Sequence, residues 1–275
     1  MKNNRLKDIL AHARQRLADR IDADILVAHA LNQDRAYLYA HDHEVLNDDI
    51  IEQIHQLIKR RLLGEPIAYL LGRKEFYGRR FRVSPDVLIP RPETELLIDQ
   101  VLALDLSPHA KVVDIGTGSG CIGLTLAAER PHWTLCVSDV SPQALAVCQH
   151  NRKDLNLTNV VALQGSLFQP WRDQSFDLIV ANLPYLSPDD PHINEGDLRY
   201  EPQIALVAED QGQALMANLV QQAPAHLICG GHILLEHGFE QQDIVKQMLI
   251  HAGFSDVRGL HDLAGLPRVV MARWS

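Results

Sequence analysis

The sequence predicts a mostly parallel, doubly wound α/β domain, preceded by a small helical domain and a short hairpin connector. Three observations carry this. Apolar runs of strand length (Lys111–Ile115, Thr134–Ser138, Val160–Leu163, Leu178–Ala181, Ile233–Glu236 and Val269–Arg273) alternate with stretches of helical spacing. The first of these runs turns through three glycines, Gly116, Gly118 and Gly120, into a helix starting near Cys121. Before about residue 70 the apolar residues fall at helical spacing only.

In chain order, Leu6, Ile9, Leu10, Ala13 and Leu17 define a first helical face. Asp22 is read as the cap of a second helix through Ile25, Leu26 and His29. Asn47, followed by Asp48 and Asp49 in the first turn, opens a third with the face Ile51, Ile54, Ile58 and Leu62. Gly64-Glu65-Pro66 interrupts that period, and Phe76-Tyr77-Gly78 with Phe81-Arg82-Val83 reads as two short strands around a turn. A helix follows Pro90-Arg91-Pro92 from about Glu93. The expected division is therefore residues 1–70 as a helical domain, 71–92 as a hairpin connector and 93–275 as the α/β domain.

Composition narrows the function. In a chain of 275 residues, 46% hydrophobic content supports two soluble cores, and no apolar run approaches the ~18 residues of a membrane span. Met1-Lys2-Asn3-Asn4-Arg5 leads into a charged amphipathic pattern and not into an apolar leader, which sets the expectation of a cytoplasmic protein. A formal net charge of −9 opposes bulk nucleic-acid binding, which requires many phosphates to be neutralised by Lys and Arg. The one basic stretch, Lys59 to Arg82, is either a solvated face or a docking surface. Cys121, Cys136, Cys148 and Cys229 form no pair or cluster at zinc-ligand spacing, so they are read as buried thiols and no metal is expected.

Two sites carry chemistry. Gly116-Thr117-Gly118-Ser119-Gly120 follows a buried strand, and glycines there allow a ligand to approach the backbone closely. The spacing is G-x-G-x-G, with Cys121 where a dinucleotide fingerprint would place its last glycine. Asp139 ends the second strand run, where a carboxylate can accept hydrogen bonds from ribose hydroxyls. Asp114 is read either as orienting the loop or as a plain turn residue. The second site is Asn182-Leu183-Pro184-Tyr185, at the end of the run Phe176–Ala181. Its residue types suit a planar amide or amine nitrogen: the Asn182 side-chain oxygen and the residue 183 carbonyl are two acceptors for an NH2 group, and Tyr185 offers a flat face.

The glycine loop resembles motif I of the class I methyltransferases, which have a Rossmann-like fold, and Asn182–Tyr185 is similar to the (D/N/S)-P-P-(Y/F) motif of amino-methyltransferases. Further stretches, Gly64–Tyr69, Glu75–Gly78, Leu88–Glu95, Tyr200-Glu201-Pro202, Leu235–Gly238 and Arg268–Val270, extend the likeness over nearly the whole chain. The chain is thereby similar to the HemK/PrmC family, the N(5)-glutamine methyltransferases of peptide chain release factors. The resemblance implies S-adenosylmethionine as cofactor, held by Gly116, Thr117, Gly118, Ser119, Gly120, Asp139, Leu167 and Asn182. It implies as substrate the Gln of the Gly-Gly-Gln motif in bacterial class 1 release factors, with Asn182 and Tyr185 catalytic, Leu183 and Pro184 beside them, and the helical domain docking the factor. Two positions depart from the pattern. Leu167 and Phe168 stand where a tryptophan beside the adenine is common, so that stacking there is either weaker or supplied by Phe168, and Leu183 replaces a proline. Asn-Leu-Pro-Tyr is also similar to the motif of ribosomal RNA adenine N6-methyltransferases (the adenine dimethyltransferases), but those carry their helical domain last and tend to be basic. An inactive, methyltransferase-like binding module is the remaining alternative. Glu236 and His237 are read as capping the sheet, and Arg91 and Glu93 as candidates for the substrate entrance.

Overall fold

The computed structural model describes residues 4–275; the first three residues of the expected helical domain lie outside the described residues. The chain forms two compact units, one running to Arg73 and taking in Glu195–Tyr200, the other comprising Lys74–Asn194 and Glu201–Ser275.

The first unit contains five helices among its described residues: α1 (Leu6–Arg16), α2 (Arg20–Ala30), α3 (Arg35–Ala40), α4 (Asp48–Leu62) and α5 (Ile67–Leu71). Two of them, α3 and α5, are shorter than two turns and leave too little periodicity to be read from sequence. The second helix starts earlier than expected. Asp19 is its cap, accepting from the Ile21 N–H at 2.7 Å, while Asp22 lies in the first turn and pairs with Arg61. Asn47 caps α4 through the Ile50 N–H at 2.8 Å. Its face buries Ile54, Leu57 and Ile58, whereas Leu62 is exposed. The unit's core joins Leu6, Leu10, Leu26, Val27, Leu38, Ile54 and Leu70. Glu195–Tyr200 joins this unit through Arg61 with Asp197 and through the Leu63 carbonyl, which accepts from Arg199 and from the Tyr200 hydroxyl.

Asp24 is buried in this unit. Arg14 binds both its oxygens, at 2.6 and 2.8 Å, and the Tyr39 hydroxyl donates to it at 2.8 Å. These bonds, led by Arg14, hold its carboxyl below the ordinary range against the opposing effect of burial. Because the folded-state pKa is depressed, the contribution to stability is complete above the unfolded value of about 4 and is lost as pH falls below it. Arg14→Met is expected to destabilise the protein by about 1.5 kcal/mol near neutral pH, measured by urea unfolding, with the difference shrinking in acid.

The second unit opens on the hairpin β1 (Arg73–Phe76) and β2 (Arg79–Arg82), whose Phe76 and Phe81 are buried in the core below. Then come α6 (Glu95–Leu102), β3 (Lys111–Ile115), α7 (Cys121–Glu129), β4 (Thr134–Asp139), α8 (Pro142–Asp154), β5 (Val160–Gln164) and β6 (Phe176–Asn182). Two single turns, α9 (Gln203–Leu206) and α10 (Glu209–Gly212), precede α11 (Ala214–Gln222), β7 (Leu227–Glu236), α12 (Gln242–His251), β8 (Ser255–His261) and β9 (Pro267–Arg273). The seven strands run in the order β5-β4-β3-β6-β7-β9-β8. From β5 to β7 they are parallel, while β9 is antiparallel to both β7 and β8.

Side chains alternate along the strands, so Val112, Val180 and Leu234 pack on one face with α6 and α7, while Val113, Ile179 and Leu235 pack on the other with Leu219 and Leu249. Strand order reverses at β3, which lies between β4 and β6; the crevice at its carboxyl end is where a doubly wound sheet binds ligands. The edge strand β8 was not legible in Ser255–His261, whose exposed and half-buried residues lack an apolar run. The cysteine expectation needs one correction: Cys136 and Cys148 are buried and Cys121 is partly buried, but Cys229 is exposed. Four basic residues of the Lys59–Arg82 stretch are ion-paired, Arg60 with Glu65, Arg61 with Asp22 and Asp197, Arg79 with Glu129 and Arg82 with Asp154.

Candidate active site

At the end of β3 the chain turns through Gly116, Gly118 and Gly120, with φ of +74°, +55° and +85°. These left-handed conformations strain any side chain, which is why three glycines punctuate so short a loop. The turn is fastened from below. The Ser138 carbonyl accepts the Gly116 and Thr117 N–H groups at 2.9 Å each. Asp114, fully buried, accepts from the Thr117 hydroxyl at 2.6 Å and from the Gly123 N–H at 2.9 Å, so one carboxyl ties the strand, the loop and α7 together. Burial raises its pKa to about 6. Asp114 therefore orients the loop, which was one of its two sequence readings.

Asp139, at the end of β4, accepts from the Gly118 N–H at 2.8 Å and the Ser141 N–H at 2.9 Å. Desolvation raises its pKa although those backbone donors oppose it. The carboxylate also lines the cavity above the loop. Asn151, 1% exposed, braces the loop from the other side: it donates to the Ser119 carbonyl at 2.8 Å and binds both the N–H and the carbonyl of Arg82 in β2.

Above this loop lies a cavity of about 300 Å³. Gly116, Thr117, Gly118, Ser119, Asp139 and Leu167 line it, as do Asn182, Leu183 and Pro184 at the end of β6. The glycine loop and the β6 motif thus face one space. Gly120 and Tyr185 are not on its wall. Gly120 gives room to Leu124 and Cys148, which a Cβ there would meet at 2.7 and 2.8 Å. Tyr185 is half-buried beside Gly238, its carbonyl accepting from Gln241 at 2.9 Å. Burial pushes its hydroxyl to about 12, so the phenol stays protonated at neutral pH. Leu167 adopts φ +47°, and Phe168 turns away. The expectation that Phe168 stacks on an adenine is overturned: the ring is 2% exposed and stacks on His226 with centroids 4.3 Å apart, inside the core.

The segment before α6 forms another wall through Pro90, Arg91 and Thr94. Glu201 holds it, accepting from the Ile89 N–H at 3.0 Å and from the Arg91 guanidinium. The Tyr200-Glu201-Pro202 stretch is thereby connected with Ile89-Pro90-Arg91-Pro92 across about a hundred residues of sequence. Of the two entrance candidates, Arg91 lines the cavity and Glu93 does not. Thr94, Asn151 and Glu236 were not singled out for the site. Their signal was pairing with motif residues across the fold, which spacing along one sequence does not contain.

Two family descriptions match the chain: the PrmC N-terminal domain over residues 8–72 and the methyltransferase small domain over residues 92–194. The release factor glutamine methyltransferase of Escherichia coli (strain K12) is 38% identical over 98% of this chain and 97% of its own length. The chain belongs to the release factor glutamine methyltransferase family. The Neisseria gonorrhoeae member is 44% identical over 93% of both chains. Among solved structures, a methyltransferase from Pyrococcus furiosus is similar in fold, with a TM-score of 0.56 at 18% identity over 78% of this chain and 96% of that one. The α/β class and the Rossmann-like class I arrangement read from the sequence are those of the fold. No helix among the described residues is long and apolar enough to cross a membrane, and no group of three or more His, Cys, Asp or Glu side chains among them is placed to hold a metal ion.

Proposed function

We propose that this member of the release factor glutamine methyltransferase family transfers a methyl group from S-adenosylmethionine to the side-chain amide nitrogen of the Gln in the Gly-Gly-Gln motif of class 1 release factors. The observation that carries the reading is the single cavity shared by the glycine loop, Asp139 and Asn182. The residues fit the cofactor. Gly118 has nothing within 4 Å of where a Cβ would stand, so the backbone is open to a close ligand, and Asp139 can still accept from ribose hydroxyls. S-adenosylmethionine supplies a methyl group on a sulfonium, an electrophile that needs no metal.

What the protein must do is make a poor nucleophile react. An amide lone pair is delocalised, and two acceptors placed on the NH2 group return density to nitrogen while fixing its direction. Asn182 Oδ1 and the Leu183 carbonyl are those acceptors. As the N–C bond forms and the C–S bond breaks, the nitrogen gives up one proton to water, so a strong base is not required. Tyr185 closes the motif behind Pro184, and Arg91 stands at the entrance for the polypeptide. The helical unit docks the factor, and the acidic chain acts in the cytoplasm on a protein and not on bulk nucleic acid.

Incubation with labelled S-adenosylmethionine and unmethylated release factor, followed by mass spectrometry of the Gly-Gly-Gln peptide, tests this. A methyl group on that glutamine is expected, and its absence with folded, cofactor-binding enzyme would refute the reading. Leu183→Pro is expected to leave the single-turnover rate similar or to raise it by no more than about fivefold. The acceptor at this position is a backbone carbonyl that every residue has, and a fixed φ is worth only about 0.4–1 kcal/mol. A parent protein active only after this substitution would instead make the natural chain a binding module.

A further inference from the structure

An asparagine amide has nearly the same shape in its two flipped orientations, yet only one serves an amide clamp. Oδ1 must face the substrate NH2 group; if the amide turned over, two NH2 groups would oppose each other. Something in the protein has to choose. The strands β6 and β7 run parallel with Asn182 directly opposite Glu236. Asn182 Nδ2 donates to the Thr94 hydroxyl at 3.4 Å. Thr94 and Glu236 are each 2% exposed, and Glu236 Oε2 is buried with no hydrogen-bond partner.

We infer that Glu236 and Thr94 are positioning residues that fix the Asn182 amide with its NH2 toward them and Oδ1 toward the cavity. A carboxylate only accepts, so the flipped amide would set two acceptors against each other. The inference rests on the reading of Asn182 as the amide clamp.

The selection depends on charge. A protonated Glu236 has an O–H to offer and can satisfy the flipped amide as well. Burial pushes its carboxyl up to about 7, while Thr94, Arg268 and Asn182 pull it down and Glu93 pushes it further up. Tyr185 and Cys121 also lie within reach of its charge, and His237 follows it in the chain. The correctly oriented amide therefore gains population as pH rises through about 7.

The test uses the side-chain NH2 signals of Asn182 in the 15N-labelled free protein, assigned by their loss in Asn182→Ala. They are expected to titrate with a midpoint near 7, and to stop doing so in Glu236→Gln, whose amide is uncharged. With release factor, Glu236→Gln should lower the single-turnover rate about threefold to tenfold, flatten its pH profile and leave cofactor affinity by calorimetry unchanged. Thr94→Val, which removes one hydroxyl at constant shape, should act in the same direction and covers the case of a poorly folded Glu236 variant. Signals that do not titrate in the wild type, or that titrate identically in Glu236→Gln, would overturn the inference. If they titrate as expected and no release factor is methylated, the positioning stands and the proposed substrate falls.

Discussion

Asn182→Ala is expected to slow methyl transfer to release factor by about two orders of magnitude or more under single-turnover conditions, with the protein folded and cofactor binding nearly intact. Asn182 ends a strand whose preceding residues, Leu178 to Ala181, are all fully buried, so its Cα is held by the centre of the sheet. Truncation removes the Oδ1 acceptor and leaves the Leu183 carbonyl alone to hold the amide. One acceptor leaves the NH2 group free to pivot, and both its direction and its electron density suffer. Asn182 is only one of the residues expected to hold the cofactor, and the others, the glycine loop, Asp139 and Leu167, lie elsewhere on the cavity wall and are left in place, which is why cofactor affinity should change little. A variant that kept its full rate would remove Asn182 from the chemistry and end the clamp mechanism.

Asp139→Ala is expected to weaken S-adenosylmethionine binding at least tenfold and up to a hundredfold by calorimetry. Hydrogen bonds to a charged group contribute about 1.5–3 kcal/mol each, and a tenfold change is about 1.4 kcal/mol. Two losses act together. The proposed contact with the ribose is removed, and the N–H groups of Gly118 and Ser141 lose the acceptor that sets the loop's shape. The second loss predicts more: Asp139→Asn, whose side-chain oxygen can still take one N–H, should bind more tightly than Asp139→Ala. Equal affinity in wild type and Asp139→Ala would place the cofactor elsewhere.

The parts of this protein that could be read from sequence are those whose cause is local. The central runs in β3, β4 and β6 were legible because both faces are largely buried and most residues there are apolar, whereas the edge run Val160–Leu163 was legible from its apolar residues although Val161 and Leu163 are exposed. The glycine loop was legible because positive φ demands glycine, and Asn47 because a cap and its acidic first turn are neighbours. What stayed hidden depends on distant partners. The side chain of Phe168 could have faced the cavity or the core, and His226, nearly sixty residues away, decides the matter. Nothing local marks Asn151 among the polar residues of α8, and its role comes from β2 and the glycine loop, which both bond its amide. The role of Glu236 comes from a strand register that places Asn182 beside it.

Gly116 and Leu183 meet where the two motifs adjoin: a Cβ at position 116 would stand 2.8 Å from Leu183 Cδ2. Leucine at 183 therefore occupies volume that the glycine leaves vacant, and the two positions are not free to vary one at a time. A larger residue at 116 would need a shorter one at 183 as well as relief from the left-handed backbone. Compensatory change should thus link the glycine loop to the Asn182–Tyr185 motif, and Gly116→Ala should be less damaging in a Leu183→Pro background than in the natural chain. The leucine that ends the β6 motif is, on this view, also a constraint on the glycine loop after β3.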